Sequence, residues 1–266
     1  MEPEIGVIED KLQKLITRMG ELDYNSYMIG LVTERVKELQ QRGVVGIDKF
    51  VQKLTDRVND KDAYLDILME GRFAIILARN NFSKIQVEYA GSGPDLKAIW
   101  NRKTVYFEVT RRHSAIDEWA EVREGSLPPL DEPENIISRI QQKLGQLKIG
   151  KVNVLVFWSD TTAVVSLNMK EAFEYIKKEI KQNPGTYQDL SGVLFTEGGG
   201  VSASTLKQFR IFENNRASKP LGMRLVKKLE SLHEEDPKKW EREFEELANA
   251  LRKQRGKGEV CDGNPA

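Results

Sequence analysis

The sequence has one cysteine, Cys261, two histidines, His113 and His233, and no excess of either charge. A lone cysteine excludes an internal disulfide framework and fits a reducing compartment. Without close Cys/His spacing, a structural zinc site is not expected. Lys+Arg and Asp+Glu both number 41. No global field therefore draws the chain to nucleic acid or to a membrane surface, although a local basic face is compatible with neutrality. No apolar run approaches the ~20 residues of a membrane span. The opening MEPEIGVIEDK is acidic and lacks the apolar stretch of a signal peptide. Internal repeats are lacking as well. These absences predict a soluble, cytoplasmic chain with no membrane partner. Its 266 residues suffice for one large domain with helical additions and a sizeable buried core.

The stretch Gly91 to His113 carries the densest pattern. Gly91-Ser92-Gly93-Pro94 is a cluster of turn residues. Asp95 to Trp100 and Thr104 to Thr110 read as strands, the second rich in β-branched and aromatic residues. A two-residue turn at Asn101-Arg102 makes the numbers of opposed residues sum to 203, which sets Asp95 opposite Glu108. Asn101 tolerates a positive φ; Arg102 accepts it less readily. By strand alternation Lys97, Thr110 and Arg112 share a face with the two acids, while Leu96, Ala98, Phe107 and Val109 point to a core. Carboxylates opposed in this way lie roughly 5 Å apart at Cβ and destabilise the sheet unless something offsets them. A divalent cation is one answer, and a neighbouring lysine is another. The plainer reading places both acids on a solvated sheet face.

A second acid out of place precedes the hairpin. A helix starting at Lys61-Asp62 runs to about residue 83, and Glu70 on it has Ile67, Phe73 and Ala74 as its surface neighbours, all apolar. A carboxylate there is costly unless partnered. Gly71 beside it permits another backbone to approach closely. The alternative is a stripe-edge residue that reaches water.

Pro94-Asp95, a spacer and Glu108-Val109-Thr110 together resemble the PD-(D/E)xK nuclease superfamily over roughly residues 62–197. The resemblance implies an α/β, restriction endonuclease-like mixed β-sheet flanked by helices, here with helical N- and C-terminal extensions. It implies that Asp95 and Glu108 bind Mg²⁺ or Mn²⁺, with Glu70 as the acid of the preceding helix. The superfamily's lysine, two residues after the Glu, is replaced by Thr110. Lys97, or else Arg111 or Arg112, would then stabilise the charge on phosphorus or orient the attacking water. Several families of the superfamily also aim a Gln or Lys from the next helix at the site, which makes Gln142 and Lys143 candidates.

The remaining segments frame this unit. Residues 1–61 read as a helical extension. Its three helices carry Ile5, Ile8, Leu12, Leu15, Ile16 and Met19; then Ser26 to Arg42, ended by Gly43; then Asp48 to Val58. They are either a DNA-contacting or dimerising module or helices packed on the main domain. The core spans 62–200. It holds a strand at Lys84 to Tyr89, with Glu88 as an exposed strand residue or accessory acid, and a loop or flap at Gly125 to Pro133. An amphipathic helix runs from Glu134 to Leu147, with Arg139, Gln142, Lys143 and Gln146 outward. Lys151 to Trp158 is a near-continuous apolar run, as for a strand buried on both faces. A helix at Met169 to Lys181, a strand at Leu190 to Thr196 and a glycine turn at Glu197 to Gly200 follow. Residues 201–255 carry a basic strand and loop with Lys207, Arg210 and Arg216 interleaved with Phe209 and Phe212, then C-terminal helices; 256–266 reads as a disordered tail.

Three functions follow as expectations. The first is a metal-dependent endonuclease acting on nucleic acid, with DNA favoured, in restriction, defence or repair, as a homodimer or with a protein partner. The second is a catalytically inactive protein of the same fold that binds DNA or a protein. The third is an interaction protein whose N-terminal helices do the work.

Overall fold

The computed structural model describes residues 5–88, 93–111, 133–158, 166–197 and 208–233. Contacts divide the chain into Met1–Leu232 and His233–Ala266, and of the second unit only His233 is described. Four helices open the chain: α1 (Ile5–Glu21), α2 (Ser26–Gln41), α3 (Ile47–Arg57) and α4 (Lys61–Arg79). The apolar spacing of α1 puts Leu12, Leu15 and Met19 into the core. Caps set the starts of α2 and α4: the side chains of Asn25 and Asp60 accept the backbone N–H groups of Met28 and Ala63. Gly43, at φ +66, ends α2 as expected.

A meander follows, built from β1 (Ser83–Val87), β2 (Leu96–Trp100) and β3 (Lys103–Arg111), both pairings antiparallel. The β2–β3 register is the expected one: Leu96 faces Phe107, Lys97 faces Tyr106 and Trp100 faces Lys103. Asn101 and Arg102 take φ +46 and +63, so the turn twists with the strands even though Arg102 must enter the left-handed region. Helix α5 (Pro133–Lys143) and a short 3-10 turn, Leu144–Gln146, lead to β4 (Asn153–Trp158), parallel to β3. Helix α6 (Ser166–Gln182) leads to β5 (Gly192–Glu197), parallel to β4. Strand β6 (Gln208–Glu213) returns antiparallel, and α7 (Met223–Glu230) closes the described chain. The result is an α/β fold with a mixed six-stranded sheet in order β1-β2-β3-β4-β5-β6. No described helix is long and apolar enough to cross a membrane.

The sheet is covered on both faces, and β4 shows how. Val154, Val156 and Trp158 join the core cluster shared with α1–α4 and α7, whereas Leu155 and Phe157 join the cluster under α5 and α6. Every residue of β4 is buried, which explains the apolar run from Val154 to Trp158. Burying each such side chain contributes roughly 1.5–3 kcal/mol before entropy is counted. The N-terminal helices are thus packed on the main sheet, within one hydrophobic cluster. Gly71 permits a close approach, but of a side chain rather than a backbone: a Cβ there would lie 2.6 Å from the Phe50 ring. Phe209 and Phe212 pack inward on opposite faces.

Arg112, Lys207, Trp119, the expected loop from Gly125 to Glu132, the Gly198 to Gly200 turn and the tail beyond His233 lie outside the described residues, while Pro133, expected to end that loop, opens α5.

Candidate functional site

Three segments converge at the end of the sheet where β1 finishes and β2 begins. Glu70 sits in mid-α4 at 6% exposure, on the apolar face that its neighbours foretold. Glu88 follows β1 at φ +51, and its N–H donates to the Asp95 carbonyl at 2.9 Å. Asp95 precedes β2, and its Oδ2 accepts the Val109 N–H at 2.8 Å, which ties the acid to β3. Glu108 lies on β3 at 1% exposure.

Lys53, from α3, joins the first three. Its Nζ donates to both Glu70 oxygens at 3.0 Å and to Glu88 Oε1 at 2.8 Å, and lies 3.7 Å from Asp95 Oδ1. Lys143, from α5, approaches from the other layer and donates to Glu108 Oε1 at 2.6 Å. Glu108 Oε2 is buried with no hydrogen-bond partner. Thr110 is buried, and its Oγ1 accepts from Arg139 Nε at 3.0 Å. Arg139 also donates to Gln142 Oε1 at 3.3 Å.

Burial and the neighbouring charges shift Glu70, Asp95, Glu108 and Lys53. Burial pushes the Glu70 carboxyl well above its ordinary range; Asp95 and Glu88 add to this, and Lys53 opposes it. Burial likewise raises Asp95, against Lys53 and the Val109 N–H. Glu108 is pushed up to about 8, first by burial and then by Asp95, with Lys143 opposing. Burial disfavours the Lys53 ammonium, but Glu70, Asp95 and Glu88 outweigh it and its pKa is raised. Two ionised carboxylates have no hydrogen to share, so Glu108 Oε2 calls for a proton or a cation.

The expected acids therefore meet: Asp95, Glu108 and Glu70 belong to one cluster. Lys97 lies on the same strand face, and Lys53 and Lys143 bond to the acids. Gln142 bonds Arg139 rather than an acid. Arg111 ends β3. Arg210 and Arg216 are exposed on β6 and the turn after it, where β6 forms one edge of the sheet.

Sequence reasoning missed Lys53 and undervalued Glu88. Lys53 borders the apolar stripe of Phe50, Val51 and Leu54, which was a weak signal; its partners are 17 and 35 residues away and on other elements. Among the described residues no group of three His, Cys, Asp or Glu side chains is arranged as it stands to hold a metal ion. The Lys53 ammonium occupies the place among Glu70, Glu88 and Asp95. The residues nonetheless suit a hard cation: all are oxygen donors, and one buried oxygen of Glu108 lacks a partner. No protein-family model matches the chain, and no curated protein is similar to it.

Proposed function

We propose that this chain is a metal-dependent phosphodiesterase acting on nucleic acid, DNA before RNA, on a restriction endonuclease-like fold. The observation that carries the reading is the buried meeting of Asp95, Glu108 and Glu70 beside Lys143. Glu70, Asp95 and Glu108 would hold Mg²⁺ or Mn²⁺, with Glu88 beside them. When bound, the ion supplies Lewis-acid polarisation of the phosphodiester and a lowered pKa for water. The chain's own residues do the rest. The Val109 N–H fixes the orientation of Asp95. Lys143 takes the part that the superfamily gives to the lysine absent at Thr110: it faces Glu108 and offers a cation to the developing negative charge. Hydrolysis places the water hydroxyl on phosphorus, breaks one P–O bond and delivers a proton to the departing oxygen.

The test is cleavage of supercoiled plasmid, linear duplex, single-stranded DNA and RNA, with Mg²⁺ or Mn²⁺, by the wild type, Asp95→Ala and Glu108→Ala. Metal-dependent cleavage that vanishes in both variants supports the reading, and cleavage that survives Asp95→Ala overturns it. One observation favours a second reading, a catalytically inactive nucleic-acid-binding protein: Lys53 already pairs with three of the four acids. Retained Mn²⁺ binding without turnover on any substrate selects it.

A further inference from the structure

Beside the carboxylate cluster, helices α1 and α3 border a groove of about 450 Å³. Its lining is Lys11, Lys49, Gln52, Lys53, Asp56 and Arg57, four cations against one carboxylate in a chain that is neutral as a whole. Lys49, Lys53 and Arg57 stand at i, i+4 and i+8, a single row rising along α3 with ~6 Å between neighbours. Like charges at that spacing weaken a helix, so the row calls for counter-charge. Lys53 finds it in Glu70, Glu88 and Asp95. Lys11 finds it in Asp48, at 3.6 Å. Lys49 and Arg57 form no ion pair among the described residues, and the groove's own carboxylate, Asp56, accepts from Gln52 instead. Lys49 and Arg57 are exposed, so their charge stands open to an anionic partner.

We infer that this groove is the track for the phosphate backbone of a nucleic-acid strand, leading it to the acids through Lys53. The inference rests on the proposed function, whose substrate it positions. It gives the N-terminal helices a binding role and moves the main phosphate contacts from β6 to α3. Lys53 is common to groove and cluster, so a backbone lying along Lys49 and Arg57 passes the carboxylates at the one point where the two sites meet. Phosphate contacts of this kind are sequence-independent and weaken steeply with salt.

The experiment is fluorescence anisotropy of a labelled 20-mer, single-stranded and duplex, titrated with the full chain in EDTA over a range of KCl. Wild type is compared with Lys49→Ala, Arg57→Ala and the double variant, and with Arg210→Ala plus Arg216→Ala as the alternative basic surface; thermal melts show that each is folded. Each groove substitution is expected to lower affinity on the order of 5- to 10-fold at 0.1 M salt and to flatten the log K against log salt slope by ~0.7–0.9. The β6 pair is expected to change neither. Groove variants that bind like wild type, with an unchanged slope, overturn the inference; so does poly-glutamate bound as tightly as DNA. Cleavage with groove-independent binding overturns the groove and leaves the hydrolysis reading intact. Groove-dependent binding without cleavage of any substrate supports the groove and overturns the hydrolysis.

Discussion

The Lys143 ammonium lies 2.6 Å from Glu108 Oε1, so helix α5 brings to strand β3 the cation that β3 itself lacks at Thr110. The pair is asymmetric: Glu108 is buried, while Lys143 is about one-fifth exposed. Removing the lysine leaves a carboxylate that must take up a proton or go unpaired. Lys143→Ala is therefore expected to abolish metal-dependent cleavage while lowering stability on the order of 1–2 kcal/mol at pH 9, above the Glu108 pKa of about 8, and by much less at pH 6, where Glu108 is already protonated. Thermal melts at the two pH values, beside the cleavage assay, check this. Equal losses at both pH values would show that Lys143 contributes through packing and not through its charge.

Glu108 itself predicts a pH dependence. Its carboxyl is raised from 4.5 to about 8 in the folded chain. The folded state therefore holds a proton that the unfolded state gives up, and stability falls as pH rises from about 4.5 through about 8. Glu108→Gln removes that titration. Its melting temperature should decline less than that of wild type between pH 5 and pH 8, with the variant gaining on the order of 3–4 kcal/mol relative to wild type across the window. Parallel melting curves for the two proteins would refute a raised Glu108.

Gly71 carries a packing prediction without any catalytic content. Alanine would ordinarily favour a helix over glycine by about 1 kcal/mol. Here its Cβ would stand 2.6 Å from the Phe50 ring, which is fully buried. Overpacking of this kind costs about 1–3 kcal/mol, so Gly71→Ala is expected to be net destabilising in urea unfolding. Adding Phe50→Leu should make the alanine tolerable, with a favourable coupling between the two substitutions. Additive losses would place the strain elsewhere.

These predictions rest unequally on what the sequence could disclose. The β2–β3 register followed from two turn residues, because a two-residue hairpin leaves one register open and Leu96, Ala98, Phe107 and Val109 agree with it. Strand β4 followed from its apolar run. Glu70 was legible for the opposite reason: an acid among Ile67, Phe73 and Ala74 contradicts its surroundings, and such contradictions collect at sites. Of the two cations, Lys143 was reached only through the resemblance, as a candidate on the next helix, and Lys53 was not legible: it is one of many lysines on amphipathic helices, and no local pattern says that α3 and α5 approach the same end of the sheet from opposite faces. Nor could periodicity place Glu88: its φ of +51 turns it out of strand alternation and towards Lys53.

Lys53 gives the sharpest test of whether the cluster is built for a cation. Its ammonium is held by Glu70 and Glu88, with Asp95 close by, and its raised pKa keeps it charged throughout the neutral range. Lys53→Met keeps the length of the stem and removes the charge. Glu70 and Asp95, already raised by burial, then lose the ammonium that pairs with both, leaving Asp95 the field of Lys143 alone, and they are neutralised by protons at low pH but not at high pH. The variant is expected to lose on the order of 2–4 kcal/mol at pH 8 and far less at pH 5. Millimolar Ca²⁺ or Mg²⁺ should restore most of that loss, because a divalent ion supplies what the lysine supplied, with the gain growing as RT ln(1 + [L]/Kd). Wild type should gain less from the same ion, since the ion must displace Lys53 to bind. The measurement is the melting temperature of both proteins against divalent concentration at pH 8, with Asp95→Asn added to each. A variant that melts low and stays low in Ca²⁺ and Mg²⁺ would mean that the acids form a structural ion-pair network centred on Lys53. A variant rescued by the ions, and no longer rescued once Asp95 is changed, would mean that the same oxygens form a cation site that Lys53 fills in the absence of metal.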